Sequence, residues 1–198
     1  MTRPSTLREL PLPILTPRLE LRAPRPGDGP ALNAAVLDSF AELTRWLPWA
    51  RARPTVDESE DYVRRCAAAW LLRSELPLLG FERASGTLVV STGLHRVEWD
   101  IPSFEIGYWA RTAYAGRGLV SEAVNAVTRY AFAALAARRV EIRCDVANAR
   151  SIAVIERLGF EREGVLRRES LAPDGGLRDT LVASRLDAGG LPALVAAW

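Results

Sequence analysis

The stretch 105–123, EIGYWARTAYAGRGLVSEA, constrains this chain more than any other. It reads as a short strand, an irregular glycine-bearing loop and the start of the longest amphipathic helix in the sequence. Gly116 and Gly118 alternate with Ala115 and Arg117, so the backbone there can approach a bulky anion closely. A helix beginning near Leu119 adds its free first-turn amides and the positive end of its dipole. The expectation is a phosphate or pyrophosphate cradle, placed between two strands where α/β proteins build ligand sites.

The rest of the chain supplies the sheet and helices around that element. Residues 15–22 (LTPRLELR) alternate as a first strand, ended by Pro24 and Pro26. Asp28, Gly29 and Pro30 form a helix start, and that helix is expected to run to about Phe40 with Leu32, Val36 and Leu37 inward. A rigid turn, Trp46-Leu47-Pro48-Trp49, then either packs on the core or lines a pocket. Residues 55–58 (TVDE) match a capping box, with Thr55 as N-cap and Glu58 at N3, opening a helix to Leu72.

From residue 77 the period changes to that of strands. Segments 77–83, 87–94 and 104–111 read as three antiparallel strands, and helical spacing returns over 119–137 through Leu119, Ala123, Val127, Tyr130 and Ala134. A strand over 140–146 and a short helix over 148–158, stopped by Gly159, follow. A final hairpin joins 160–170 to 177–186 across Pro173-Asp174-Gly175-Gly176. The predicted class is α/β (α+β mixed): one sheet of about seven strands with helices on both faces. A single domain spans 15–186, between a Pro-rich arm at 1–14 and a Gly/Pro/Ala tail at 187–198 that ends in Trp198.

Composition removes several functions. The formal charge of +2 is too small to argue for nucleic acid, and all 26 basic residues are arginine. No G-x-G-x-x-G occurs, and a P-loop is impossible without lysine, so dinucleotide binding of the Rossmann kind and ATP hydrolysis fit poorly. Cys66 and Cys144 give no CxxC pattern, and the single histidine, His95, precludes a multi-histidine metal site, so no metal is expected. Neither a signal peptide nor an 18-residue apolar run is present, which points to the cytoplasm and away from a membrane.

Four pieces, in order and spacing, resemble the GNAT acyl-CoA N-acyltransferases, in the branch of ribosomal-protein N-terminal alanine acetyltransferases. They are TPRLELRAPRPGD, WLPWA at 46–50, EIGYWARTAYAGRGLVSEAV at 105–124 and NARSIAVIERLGFEREGVLRR at 148–168. The resemblance covers roughly 15–186 and implies acetyl-CoA as cofactor. The family's Gln/Arg-x-x-Gly-x-Gly/Ala motif has the register Ala115 to Val120 here. Gly118 matches outright, whereas Ala115 replaces the Gln or Arg and Val120 the small last residue. Ala115 loses a side chain but no amide, so pyrophosphate is assigned to Gly116, Arg117, Gly118, Leu119, Val120 and Ser121. The family fold also implies a sheet splayed between strands four and five. The pantetheine arm would lie in that opening against Ile106, Gly107, Tyr108 and Trp109, and a backbone N–H would serve as oxyanion donor.

Direct transfer needs a neutral amine and a donor for the departing sulfur. An α-amine titrates near pKa ~8 and needs only modest help from a carboxylate. Glu105, at the start of the splayed strand, is the first candidate for base, with Glu98, Asp100 and His95 behind it. Many family members place a tyrosine where Ile155 stands. The alanine-acetylating branch instead resembles this chain at Asn148, as helix cap or pantetheine contact, and at Ser151, as donor to the sulfur. Trp46, Trp49, Tyr62 and Glu98 are expected around the acceptor. The function implied is acetyl transfer to a primary amine by direct attack in a ternary complex, with the N-terminal amine of a protein or peptide as the first acceptor and a small amine or antibiotic as the alternative. A non-catalytic acyl-CoA-binding module and an interaction protein using its apolar tail are the rivals, and a homodimer stays open.

Overall fold

The computed structural model describes residues 4–172 and 175–198. Its strands are β1 (Ile14–Leu15), β2 (Leu19–Arg22), β3 (Leu76–Glu82), β4 (Leu88–Glu98), β5 (Ser103–Ala110), β6 (Arg139–Asp145), β7 (Glu161–Leu171) and β8 (Leu177–Arg185). The helices are α1 (Gly29–Trp46), α2 (Val56–Leu72), α3 (Leu119–Ala134) and α4 (Ala149–Arg157). All eight strands join one sheet in the order β1-β2-β3-β4-β5-β6-β8-β7. Every pairing is antiparallel except β5 with β6. This is a mixed, mostly antiparallel sheet covered on both faces, with one strand more than the sequence predicts.

The eighth strand comes from splitting the predicted first one. Thr16 closes a tight turn on Leu19: its N–H donates to the Leu19 carbonyl at 2.9 Å, and its Oγ1 accepts from the Leu19 N–H at 2.9 Å. With Pro17 inside that turn, LTPRLELR folds back on itself and is not one continuous strand. Helix α1 also outruns its predicted end at Phe40. Leu32, Val36, Ser39 and Leu43 keep one buried stripe going, and Leu47 turns extended only before Pro48. The capping box on α2 is present as expected. Thr55 Oγ1 accepts from the Glu58 N–H at 3.2 Å, and Glu58 Oε2 accepts from the Thr55 N–H at 2.7 Å. Pro173 and Asp174 of the last hairpin turn lie outside the described residues.

Two apolar layers flank the sheet. Leu19, Leu21, Leu78, Phe104, Ile106 and Val140 pack with Leu119, Ala123, Val127 and Tyr130 of α3. On the opposite side Leu79 and Leu88 pack with Leu32, Val36 and Leu43 of α1 and Val63 of α2. Alternate strand residues therefore go to different helices, as a sheet covered on both faces requires. The tail docks on the domain. Ala197 exchanges backbone hydrogen bonds with Leu15, and the Trp198 ring meets Tyr130 edge-on at 5.5 Å.

Candidate active site

The sheet opens between β5 and β6. Their parallel pairing covers only Ser103, Phe104 and Glu105 against Arg139, Val140 and Glu141. From there β6 pairs with β8 alone, so the β6-facing edge of 106–110 has no strand partner among the described residues. This parting, between the fourth and fifth long strands, forms the floor of a cavity of about 840 Å³.

Gly116, Gly118, Leu119, Val120 and Ser121 line one end of the cavity. Gly116 and Gly118 both hold φ of +77°, a left-handed conformation costly for any residue with a Cβ. Gly118 is the N-cap of α3 and offers no side chain, so the Leu119, Val120 and Ser121 amides at the helix start remain available to a ligand. Behind the loop, the buried Glu122 carboxylate accepts from Thr16 Oγ1 at 2.6 Å, from the Arg18 N–H at 3.0 Å and from Arg18 Nε at 2.6 Å. Arg18 in turn donates to the Arg117 carbonyl at 2.8 Å. The turn that splits the first strand thus braces the loop from behind.

The side chain of Arg117 lies apart from the cavity. Its guanidinium lies over the Tyr114 ring and pairs with Glu82 at 2.8 Å, so it does not line the cavity. Arg157, at the end of α4, does line it, and donates to Ser121 Oγ at 2.9 Å. Thirty-six residues separate the two, and no local pattern joins them.

In the same cavity, Tyr108 of β5 and Ser151 of α4 bring their hydroxyls to 2.6 Å. Asn148 is the N-cap of α4, its Oδ1 accepting from the Ser151 N–H at 3.1 Å, which fixes the serine at the helix start. The Cys144 thiol borders the same place. Burial pushes both the Tyr108 hydroxyl and the Cys144 thiol up from their ordinary values, and the Ser151 hydroxyl pulls each partly back. Ile155 is fully buried in the core. The tyrosine near Ser151 therefore comes from a strand rather than from the helix position where the family's usual one would stand.

Glu105 also lines the cavity, its side chain 19% exposed, with Oε2 at 3.0 Å from Arg96 Nε and 3.6 Å from Arg143 Nε. Burial raises its carboxyl above the ordinary value, and the two guanidiniums pull it partly back. A second carboxylate, Glu169 of β7, also faces the cavity and accepts from Thr180 Oγ1 at 3.0 Å. Glu42 and Trp46 of α1 border the same cavity, and Arg178 of β8 donates to the Trp46 carbonyl at 2.8 Å and to Ser170 Oγ at 2.9 Å. The sequence does not mark Glu169 and Arg178, because strand alternation places a side chain on a face without saying what that face borders.

Of the residues expected around the acceptor, Trp46 lines the cavity. Trp49 supports its wall indirectly, packing at 6.5 Å on Trp109, which lines it. Tyr62 and Glu98 lie elsewhere. Tyr62 points along α2 to the Cys66 thiol, and Glu98 accepts from the Asp100 N–H in the turn after β4. His95 is also outside, its ring against Gly107 and its Nδ1 at 3.5 Å from Glu75.

A splayed sheet, an amide-lined loop at a helix start and a hydroxyl pair in the gap together define an acyl-CoA-binding acyltransferase architecture. Residues 18–161 match the family model described as an acetyltransferase (GNAT) domain, and the chain belongs to that family. It is 30% identical over 152 residues to YdaF of Bacillus subtilis (strain 168), spanning 75% of this chain and 81% of that protein, whose name assigns it provisionally as a ribosomal N-acetyltransferase. The ribosomal-protein-serine acetyltransferase of Escherichia coli (strain K12) is 32% identical over 87 residues, 44% of this chain and 49% of that one. Among solved structures, RimL, a ribosomal L7/L12 alpha-N-protein acetyltransferase in complex with coenzyme A, superposes with a TM-score of 0.81 at 25% identity. That match covers 89% of this chain and 97% of RimL, and in the complex coenzyme A is joined by a disulfide to a RimL cysteine.

Proposed function

We propose that this GNAT acetyltransferase moves the acetyl group of acetyl-CoA onto the N-terminal α-amine of a protein, by direct attack in a ternary complex. The observation that carries the reading is one continuous cavity joining the Gly116 to Ser121 loop, the Tyr108–Ser151 pair and the Glu105 carboxylate. The relatives named for ribosomal-protein acetylation support a protein acceptor. Acetyl-CoA is the acyl donor, consistent with the coenzyme A held by RimL.

In this reading the loop amides hold the pyrophosphate, and the pantetheine arm pairs along the open edge of 106–110. The thioester then reaches the Tyr108–Ser151 pair. Tyr108 donates to Ser151 Oγ, which leaves the serine proton free to hydrogen-bond the sulfur. RimL has a cysteine within bonding reach of the cofactor's sulfur; in this chain Cys144 borders the cavity beside Ser151, which supports that placement. The amine enters past Trp46 and Glu169. Its nitrogen attacks the thioester carbon, the C–N bond forms and the C–S bond breaks. Glu105 takes the proton that nitrogen loses, directly or through water, and the thiolate leaves protonated from solvent with Ser151 donating to it. Placement of the two substrates carries much of the rate.

The two free cysteines and the absence, among the described residues, of any helix long and apolar enough to cross a membrane support a cytoplasmic setting. The test is a panel of amines with acetyl-CoA, read by thiol release: peptides beginning with Ala, Ser and Met beside small amines. Turnover on peptides is expected. Preference for small amines would redirect the acceptor class, and CoA binding without any turnover would make the chain a binding module. A Ser151→Ala variant should slow transfer about tenfold while leaving CoA affinity within twofold, the size of one hydrogen bond made to the leaving sulfur.

A further inference from the structure

Five arginines line the cavity, and four of them are already engaged. Arg96 pairs with Glu105, Arg143 with Glu141 at 2.9 Å, and Arg150 with Glu42 at 3.0 Å. Arg178 donates to the Trp46 carbonyl and to Ser170. Arg157 is different: its one hydrogen bond among the described residues is to a neutral hydroxyl, Ser121 Oγ at 2.9 Å, and no carboxylate is paired with it. That hydroxyl lies in the first turn of α3, next to the Leu119 and Val120 amides. Having accepted from Arg157, Ser121 keeps its own proton to donate onward.

We propose that Arg157 is a phosphate-binding residue for coenzyme A, supplying the charged side chain that the loop's own Arg117 does not. The chemistry is that of a guanidinium against a phosphate oxyanion, a fork of donors matched to a tetrahedral anion. The loop supplies amides without charge, and Ala115 offers no polar side chain there. Arg157 restores a cation from another element, through the packing of α4 against α3. The pyrophosphate and the 3′-phosphate of coenzyme A offer the same chemistry, and the experiment below separates them. The inference rests on the assignment of coenzyme A to the Gly116 to Ser121 loop.

A bland alternative exists for Arg157, which closes the last turn of α4 and so interacts favourably with that helix's own dipole. Calorimetric titration of wild type, Arg157→Gln and Arg157→Lys with CoA and with 3′-dephospho-CoA decides between them. Loss of a charge-assisted phosphate contact should weaken CoA binding of Arg157→Gln about tenfold or more, with Arg157→Lys recovering most of it. If the 3′-phosphate is the partner, wild type binds dephospho-CoA as weakly as the Gln variant binds CoA, and that variant no longer distinguishes the two ligands. If the pyrophosphate is the partner, the Gln variant loses affinity for both ligands equally. CoA affinity within twofold of wild type would overturn the proposal. So would equal losses in Gln and Lys variants accompanied by a lower melting temperature of the free protein, which is the signature of helix packing. Wild type failing to bind CoA would overturn the loop assignment, and this proposal with it.

Discussion

Burial and charge pull the Glu105 carboxyl in opposite directions, and burial dominates. The protonated form is therefore favoured in the folded chain relative to the unfolded one. Stability from this group is present below the ordinary value of 4.5 and is lost as pH rises through the raised folded value. Catalysis has the opposite requirement, because a base must be ionised. If Glu105 accepts the amine proton, kcat/KM should fall on the acid side through an apparent pKa above 4.5, distinct from the limb near pKa ~8 of an α-amine acceptor. A Glu105→Gln variant should lose the lower limb and keep the upper one. If the lower limb persists unchanged in that variant, Glu169, another carboxylate lining the cavity and 3.7 Å from Arg143, becomes the residue to test. Glu105 was visible in the sequence as an acid at the start of a strand. The two arginines that hold it were not, since Arg143 comes from a neighbouring strand and Arg96 from the far end of β4.

At the scale of elements, strand and helix periods were legible wherever one face is buried, as along α1, α2 and α3, and the α2 capping box could be read residue by residue. What escaped was contact between elements distant in sequence. The Thr16 turn is the clearest case: TPRLELR alternates like a strand, yet Thr16 and Arg18 turn aside to reach Glu122, more than a hundred residues away. Glu122 gathers three donors behind Gly118, so its removal should act on the loop as well as on stability. A Glu122→Gln variant keeps one acceptor oxygen and turns an amide toward donors. Its expected cost is about 1–3 kcal/mol in denaturant unfolding, with a several-fold rise in the KM for acetyl-CoA as Arg18 releases the Arg117 carbonyl. Lost stability with an unchanged KM would show that the loop holds its shape without the brace. The same blindness to distant partners explains why Arg117, inside the motif, was expected at the phosphates while Arg157 was not.

For the whole molecule, the last twelve residues matter more than their composition suggests. A Gly/Pro/Ala segment of this kind shows no secondary structure in sequence, because it has no period and its partners are spread over the domain. In the fold Leu191 is buried, the Pro192 carbonyl accepts from Asn125 Nδ2 at 2.9 Å and from Arg129 at 3.0 Å, Ala197 bridges to β1, and Trp198 covers Tyr130. These contacts hold α3 along its middle turns, opposite to the end that carries the phosphate loop. Deleting 191–198 removes one buried leucine, an aromatic pair and a few hydrogen bonds, together worth roughly 3 kcal/mol. At about 2–4 °C per kcal/mol for a chain of this size, the melting temperature should drop by roughly 6–12 °C. Because the hydrogen bonds and ring contact of the tail go to β1 and to Asn125, Arg129 and Tyr130 of α3, KM for acetyl-CoA measured well below the new midpoint should stay within twofold. A melting temperature unmoved by the deletion would return the tail to the status of a free surface segment. A large rise in KM at intact stability would mean that α3 transmits the tail's position to the loop, making the sixteen residues of that helix one rigid lever between the two ends of the molecule.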